Sequence, residues 1–255
     1  KRYINYVSYM FLQMKKAECI MFPDLHGRDF WKKALANSCE WTANRLIFLG
    51  DYFDPYPSEG IAPTDAIRNW WELQLTLRQH PDKEVVFLMG NHDAHYVSAT
   101  FRRLAQGSRF SARWRATISV LLGSVDLQIA HETRINGKRI LFTHAGLTYP
   151  WYLAHRNIIG ELSADNLNGL TKREEGWEAL ADISAFRDGS EAYGSVLWAD
   201  RGEFTHDALE DVPFDRQIVG HNQFSGNEAL TLGTVSIIDC HHPFALTADL
   251  QLVRI

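Results

Sequence analysis

The chain has 255 residues and 45% hydrophobic side chains, which allows one large domain with a substantial core and excludes a disordered or fibrous protein. Its formal charge of -5 argues against a broad basic surface, so a nucleic-acid partner is not expected. Three cysteines without metal-ligand spacing exclude a disulfide framework and favour a reducing compartment, and we therefore expect a cytoplasmic protein.

The first predicted element is an amphipathic helix over residues 1–16, in which Ile4, Val7, Phe11 and Met14 recur at helical spacing. This segment lacks the continuous apolar core of a signal peptide. No stretch of the chain reaches the roughly 20 apolar residues that a membrane span needs. We therefore expect the helix to dock on the protein and expect no membrane partner.

Short apolar runs of strand length come next, and each ends directly at a polar cluster. These runs cover residues 19–22, 45–49, 84–89 and 139–142. Between the second and third runs, residues 64–80 carry apolar side chains at helical spacing, with Thr64 as the expected N-cap and Pro81 as the stop. The alternation of strand and helix predicts βαβ units and a largely parallel sheet.

The second half of the chain predicts antiparallel pairing and a group of helices. Asn136-Gly137 is the strongest hairpin signal in the chain, and residues 125–130 and 139–142 are its predicted arms. Residues 151–187 are typical of short helices, and 235–238 and 246–253 of two final strands. No repeat or linker interrupts the chain, so we expect one domain over residues 1–255, with a helical cap-like insertion at about 151–206.

Five polar clusters follow apolar runs in this chain. They read PDLHG (23–27), GDYFDPY (50–56), GNHD (90–93), HAG (144–146) and GHN (220–222). Ligands in such sheets collect beyond the carboxyl ends of the strands, where these side chains would converge. Taken singly, each of these residues has an equally good structural explanation, as a turn carboxylate, a cap asparagine or a core histidine. Together they predict a two-metal site, and such sites usually cleave phosphate esters.

As an ordered set, the clusters resemble the motifs GDxHG, GDxxDRG, GNHE, HGG and GH of the calcineurin-like metallophosphoesterases. The nearest branch is that of the serine/threonine phosphoprotein phosphatases and their bacterial and phage relatives, whose LWSDP segment resembles residues 197–200, LWAD. The resemblance spans residues 22–222. It implies an α/β fold with mixed sheets, arranged as a four-layer α/β/β/α sandwich.

The resemblance also implies roles for individual residues. The implied ligands are Asp24, His26 and Asp51 for one ion, and Asp51, Asn91, His144 and His221 for the other. His92 would protonate the leaving oxygen as a general acid, and Asp54 would orient it. Oxygen and imidazole ligands without thiolate lead us to expect two divalent ions, Mn²⁺ first, with Fe, Zn, Co or Ni as alternatives.

One departure from the family concerns the substrate phosphate. Pro55-Tyr56 stands where the phosphoprotein phosphatases carry Arg-Gly, and that arginine grips the phosphate. A bidentate arginine is the usual partner for the oxygens that face away from the metals. We predict that Arg201 takes its place, helped by one arginine of residues 102–115. The alternative at Arg201 is a solvated surface arginine, and residues 102–115 are first interpreted as a solvated helix face.

The sequence therefore predicts a dinuclear metal-dependent phosphohydrolase that cleaves a phosphomonoester or a nucleotide polyphosphate with a metal-activated water. Its partner would be a phosphorylated small molecule, a nucleotide or a phosphoprotein. One alternative is a phosphodiesterase or nuclease of the same fold, against which the net negative charge and the absence of a second histidine after His221 both count. The other is a non-catalytic binding module, against which the intact set of ligands counts.

Overall fold

The computed structural model describes residues 14–36 and 38–255. Most of the predicted N-terminal helix, residues 1–13, lies outside these ranges. The prediction is wrong for the last residues of this helix. Lys15–Lys16 form an extended strand, β1, which pairs in parallel with β3 (Trp41–Thr42). Two larger sheets make up the centre of the protein, with five and six strands.

The six-stranded sheet contains three of the four strands predicted from the apolar runs. Its strand order is β13-β12-β2-β4-β5-β6. These strands are β2 (Cys19–Phe22), β4 (Arg45–Phe48), β5 (Glu84–Leu88), β6 (Leu127–Gln128), β12 (Phe244–Leu246) and β13 (Leu252–Arg254). Four of these strands run parallel to one another, namely β2, β4, β5 and β6. The other two, β12 and β13, are antiparallel additions at one edge. The predicted single strand over residues 246–253 is therefore wrong, since residues 247–251 form the turn of a hairpin.

The five-stranded sheet contains the predicted hairpin, in the order β10-β11-β9-β8-β7. Its strands are β7 (Ala130–Ile135), β8 (Lys138–Thr143), β9 (Arg216–Val219), β10 (Leu230–Leu232) and β11 (Val235–Ile237). Asn136 and Gly137 both have positive φ, 50° and 79°, as a two-residue hairpin turn requires. The first arm was predicted too early in the chain, because β6 within residues 125–130 pairs with β5 in the other sheet.

Helices cover the outer faces of both sheets. Within the described residues they are α1 (Trp31–Leu35), α2 (Pro63–Leu77), α3 (Asn91–Val97), α4 (Ala99–Leu104), α5 (Arg115–Leu122), α6 (Tyr149–Ile159), α7 (Ala164–Gly169), α8 (Glu174–Leu180) and α9 (His206–Leu209). Thr64 is not the N-cap of α2, because the helix begins one residue earlier at Pro63, whose fixed φ suits the first helical position. None of the helices described here is long and apolar enough to cross a membrane.

Alternating side chains of the strands divide the core into layers. Met21 and Ile47 point toward the other sheet and pack with Ile140 and Phe142, whereas Phe22 and Phe48 point outward against the helices. On the far side, Leu141 packs with residues of α6, α7 and α8. The protein is therefore the α/β/β/α sandwich that the resemblance implied. This arrangement brings the carboxyl ends of parallel strands from both sheets to one edge.

Candidate metal centre

All six predicted metal ligands lie at this common edge, each in a loop or helix start that follows a strand. Asp24 and His26 follow β2, Asp51 follows β4, and Asn91 follows β5 in the six-stranded sheet. His144 and His221 follow β8 and β9 in the other sheet. The strands end in buried apolar residues, and the ligands are themselves buried, except for His221, which is partly exposed.

The first ligand group consists of Asp24, His26 and Asp51. One ligand atom from each lies within 4.8 Å of the other two. His26 Nε2 is 3.5 Å from Asp51 Oδ2 and 3.9 Å from Asp24 Oδ2. Ligand atoms that share one ion at bonds of about 2.1 Å lie roughly 3–3.5 Å apart, so a small contraction would let these atoms coordinate a cation.

The second ligand group consists of Asp51, Asn91, His144 and His221. His144 Nε2 is 3.6 Å from Asp51 Oδ2 and 2.9 Å from Asn91 Oδ1. His221 Nδ1 is 3.1 Å from both Asn91 Oδ1 and His144 Nε2. The same oxygen atom, Asp51 Oδ2, therefore faces both ligand groups.

Backbone hydrogen bonds orient two of the imidazoles toward the centre. Nδ1 of His26 lies 2.9 Å from the carbonyl oxygen of Phe53, and Nδ1 of His144 lies 2.8 Å from that of Leu49. A carbonyl only accepts, so Nδ1 carries the proton in each ring and Nε2 presents a lone pair. Burial holds the pKa of His26 well below its ordinary value and also lowers that of His144. Both rings are thus in the neutral form that binds metals.

One further observation fits a bound cation. Burial, together with the negative charge of Asp24, raises the pKa of Asp51 well above its ordinary value. Buried carboxylates placed side by side without a cation repel each other, and divalent ions would remove this repulsion.

Four residues of the site have positive φ although they are not glycine. These angles are 43° at His26, 52° at Asp51, 58° at Asp54 and 60° at His221. The left-handed region is sparsely populated by residues with a Cβ, and such strain clusters at functional sites. The loops therefore hold these side chains in directions that a relaxed backbone would not give them.

Asp93 joins the loop after β4 to the start of α3, and the sequence analysis assigned it no role. Its carboxylate accepts hydrogen bonds from the backbone N–H groups of Asp51 at 2.7 Å, Gly90 at 2.9 Å and Tyr52 at 3.1 Å. It thereby fixes the backbone that carries the Asp51 side chain. The sequence signal that points to it is an acidic residue in the first turn of α3, three residues after the N-cap Gly90.

His92 and Asp54 lie beside the first ligand group. His92 Nδ1 is 3.0 Å from Asp54 Oδ2, and the hydroxyl group of Tyr96 donates to the other oxygen of Asp54. The backbone N–H of His92 donates to Asp51 Oδ1 at 2.9 Å. His92 is thus tied to the carboxylate that both ligand groups share, with its Nε2 directed away from Asp54.

A different arginine from the one predicted has its side chain at the site. The Arg201 side chain is exposed, and its backbone N–H donates to Asn222 Oδ1 at 2.9 Å; its contact with substrate stays a prediction. Arg109 is half-buried, and its Nη2 lies 3.3 Å from the Nε2 atoms of both His26 and His92. The solvated helix face expected over residues 102–115 is therefore wrong at Arg109, which lies in the loop after α4.

Asp239, which sequence reasoning also missed, lies beside Asp24. It follows β11 and is 2% exposed, and its Oδ1 has no hydrogen-bond partner in the described part of the chain. Burial and the charge of Asp24 raise the pKa of Asp239 well above its ordinary value. No motif marks this position, because its neighbour Asp24 is more than two hundred residues away in the sequence.

This chain resembles known structures at low sequence identity. A cold-active protein-tyrosine phosphatase of a psychrophilic Shewanella species aligns with a TM-score of 0.58 and 16% identity, over 94% of this chain and 78% of that one. A hypothetical protein from Pyrococcus horikoshii OT3 aligns with a TM-score of 0.49 and 12% identity, over 94% and 87%. At such low identity the Shewanella likeness shows the fold alone. No curated protein matches the sequence.

A sequence model of the calcineurin-like phosphoesterases matches residues 21–223, which include every predicted ligand. This range is most of the chain, and it begins within β2 and ends just after His221. The match agrees with the order of the five clusters and with their position at the strand ends. The chain therefore belongs to the calcineurin-like phosphoesterase family and is a metal-dependent phosphoesterase.

Proposed function

We propose that this protein is a dinuclear metal-dependent phosphohydrolase that cleaves a phosphomonoester or a nucleotide polyphosphate. The observation that carries the proposal is the position of Asp51 Oδ2, which is 3.5 Å from His26 Nε2 and 3.6 Å from His144 Nε2. In two-metal sites, ions about 3.5–4 Å apart act together on one phosphate. A single carboxylate oxygen that faces both ligand groups could bind one ion in each group.

The residues divide the work of hydrolysis between them. Two divalent ions held by the ligand groups would activate the attacking water and neutralise charge on the phosphate. His92, oriented by Asp54 through a hydrogen bond of 3.0 Å, delivers a proton from Nε2 to the leaving oxygen. Tyr96 donates to the second oxygen of Asp54 and so keeps that carboxylate in place.

The ligand chemistry supports Mn²⁺ first, with Fe, Zn, Co or Ni as alternatives. The ligands are carboxylate, amide and imidazole groups without a thiolate, which argues against Cu(I) and against a structural zinc site. All three cysteines are free, and burial raises the pKa of Cys19 to about 12. Free cysteines support a reducing compartment such as the cytoplasm.

The domain organisation is part of the same proposal. One domain spans residues 1–255, with a helical cap-like insertion at about 151–206. The packing of α6 to α8 against the five-stranded sheet supports a single domain, because Trp151, Leu167 and Leu180 share a buried cluster with Leu141 of β8. The turn at Arg201–Glu203 ends this region beside Asn222.

The test is hydrolysis of a substrate panel by protein loaded with Mn²⁺. The panel contains p-nitrophenyl phosphate, bis-p-nitrophenyl phosphate, a phosphoserine peptide, a phosphotyrosine peptide and a dinucleoside polyphosphate. The phosphotyrosine peptide is included because the Shewanella protein is a protein-tyrosine phosphatase. We expect metal-dependent turnover of a monoester or of the polyphosphate, and no loss in Asp211→Asn, a control at an exposed carboxylate.

Two outcomes would contradict the proposal. A clear preference for bis-p-nitrophenyl phosphate over the monoester would make the protein a phosphodiesterase. Protein that contains two ions per chain but turns over no substrate of the panel would instead be a binding module.

A further inference from the structure

We propose that Arg109 binds the substrate phosphate in place of the arginine that the family motif carries at position 55, and that Tyr56 holds it there. This inference rests on the proposed function, because it names a substrate-binding residue of the same site. Nothing in the sequence motifs assigns such a role to Arg109, which is not part of any of the five clusters.

The guanidinium group of Arg109 reaches the loop in which the family arginine would stand. Arg109 lies between α4, which ends at Leu104, and the turn that begins at Ala112. Its Nε donates to the carbonyl oxygen of Asp54 at 2.9 Å. Asp54 directly precedes Pro55, so this bond places the guanidinium next to the position of the missing side chain.

The end of the side chain lies where a phosphate must bind. Nη2 is 3.3 Å from His26 Nε2, on the side of the first ligand group, and 3.3 Å from Nε2 of His92, the proposed acid. A cation that takes the lone pair of His26 Nε2 would leave an N–H of Arg109 free for a phosphate oxygen. Charge-assisted N–H bonds to phosphate are among the stronger hydrogen bonds in proteins.

The aromatic ring of Tyr56 packs against the guanidinium group of Arg109. The guanidinium carbon of Arg109 is 3.7 Å from the centre of the Tyr56 ring, close enough for a strong cation–π contact. The same ring lies nearly perpendicular to the His26 ring, with ring centres 5.0 Å apart. The family motif has glycine where Tyr56 stands, and a glycine could not offer this surface. The exchange of Arg-Gly for Pro55-Tyr56 therefore removes one arginine and supplies a platform for another.

Two other arginines near the site are already paired with carboxylates. Arg28 pairs with Glu59 at 2.7 Å, and Arg187 pairs with Asp200 at 2.7 Å and donates to Asn222. In the described ranges of the chain, no carboxylate forms an ion pair with Arg109. Its charge is thus available to an anion, whereas a phosphate would have to compete with a carboxylate for the other two.

The test is the binding of inorganic phosphate to the Mn²⁺-loaded protein by calorimetry, with metal content and kcat/KM for p-nitrophenyl phosphate measured alongside. We expect Arg109→Ala to weaken phosphate binding about 10–100-fold and to lower kcat/KM about 100-fold, with unchanged metal content. Arg109→Lys should recover only part of the loss, because an ammonium group cannot make the bidentate contact. Tyr56→Leu should weaken phosphate binding about 3–10-fold.

The matched control is Arg68→Ala, because Arg68 is exposed on α2 and pairs with Asp65 of the same helix. Arg109→Ala protein that binds phosphate like the wild type would overturn the inference, and so would loss of metal from that variant. Wild-type phosphate binding in Tyr56→Leu would overturn the role of Tyr56. Failure of the proposed function looks different, because it appears in the loaded wild type, which would then prefer the diester or hydrolyse none of the substrates.

Discussion

His95 is a fully buried imidazole whose ring nitrogens have no hydrogen-bond partner among the described residues. It packs against His92, Phe101, Phe110 and Trp198, with ring centres 5.7–6.4 Å away. Burial, and after it the charge of His92, lowers the pKa of His95 from 6.5 to about 4. The folded protein therefore binds this proton less readily than the unfolded chain does.

The direction of the stability effect follows from this difference. The contribution of His95 is fully present above pH 6.5 and is lost as the pH falls toward 4, because acid favours the unfolded chain, whose imidazole can become charged. With these two pKa values, the free energy of unfolding falls by about 2 kcal/mol between pH 8 and pH 5 through this one group. Replacement by phenylalanine should abolish this loss, since the ring remains and the titration disappears.

The assay is urea unfolding of metal-free wild type and His95→Phe at pH 8 and at pH 5. Other titrating groups act on both proteins, so the difference between the two pH dependences isolates His95. We expect the variant to lose about 2 kcal/mol less than the wild type on acidification. Parallel pH dependences for His95→Phe and wild type would refute the reasoning.

Three further variants test the metal centre. Asp51→Asn should lose activity and at least one ion, because one charged oxygen faces both ligand groups; elemental analysis that finds two ions in an active variant would contradict the bridge. His92→Asn should retain its metal while kcat falls roughly 10²–10⁴-fold, and the loss should shrink for p-nitrophenyl phosphate, whose leaving group needs little protonation. Equal losses for good and poor leaving groups would exclude the acid role. Gly90→Ala would place a methyl group 2.1 Å from Asp51 Oδ1, so calorimetry should detect weaker Mn²⁺ binding; unchanged affinity would show that the loop adapts.

The sequence predicted that the six candidate ligand residues follow strands, and each of them does in the structure. An apolar run of strand length fixes where a loop begins, and parallel strands bring their loops to one edge regardless of sequence separation. Asp24 and His144 could thus be placed together although they come from different sheets. The same reasoning failed at residues 125–130, because an apolar run does not reveal which strand it will pair with.

The positions of the Arg109 and Asp239 side chains at the site could not be predicted from the sequence. Arg109 lies in an irregular loop, and its direction is set by Tyr56 and the carbonyl group of Asp54, both of which are more than fifty residues earlier. Asp239 and Asp24 approach each other from different sheets, since Asp239 follows β11 in the five-stranded sheet and Asp24 follows β2 in the six-stranded sheet. Contacts of this kind depend on tertiary packing, for which a single sequence carries no local signal.

Four positive φ angles at the site lower the stability of the fold in a region that activity requires. They belong to His26, Asp51, Asp54 and His221. Each strained residue costs on the order of 1–3 kcal/mol, and glycine in the same place would avoid that cost. A laboratory selection that rewards heat resistance alone should therefore accumulate glycine at these positions and deliver robust but inactive protein. Variants of this protein selected for stability need an activity screen in every round, because the loops proposed to bind the ions are where substitution by glycine relieves the most strain.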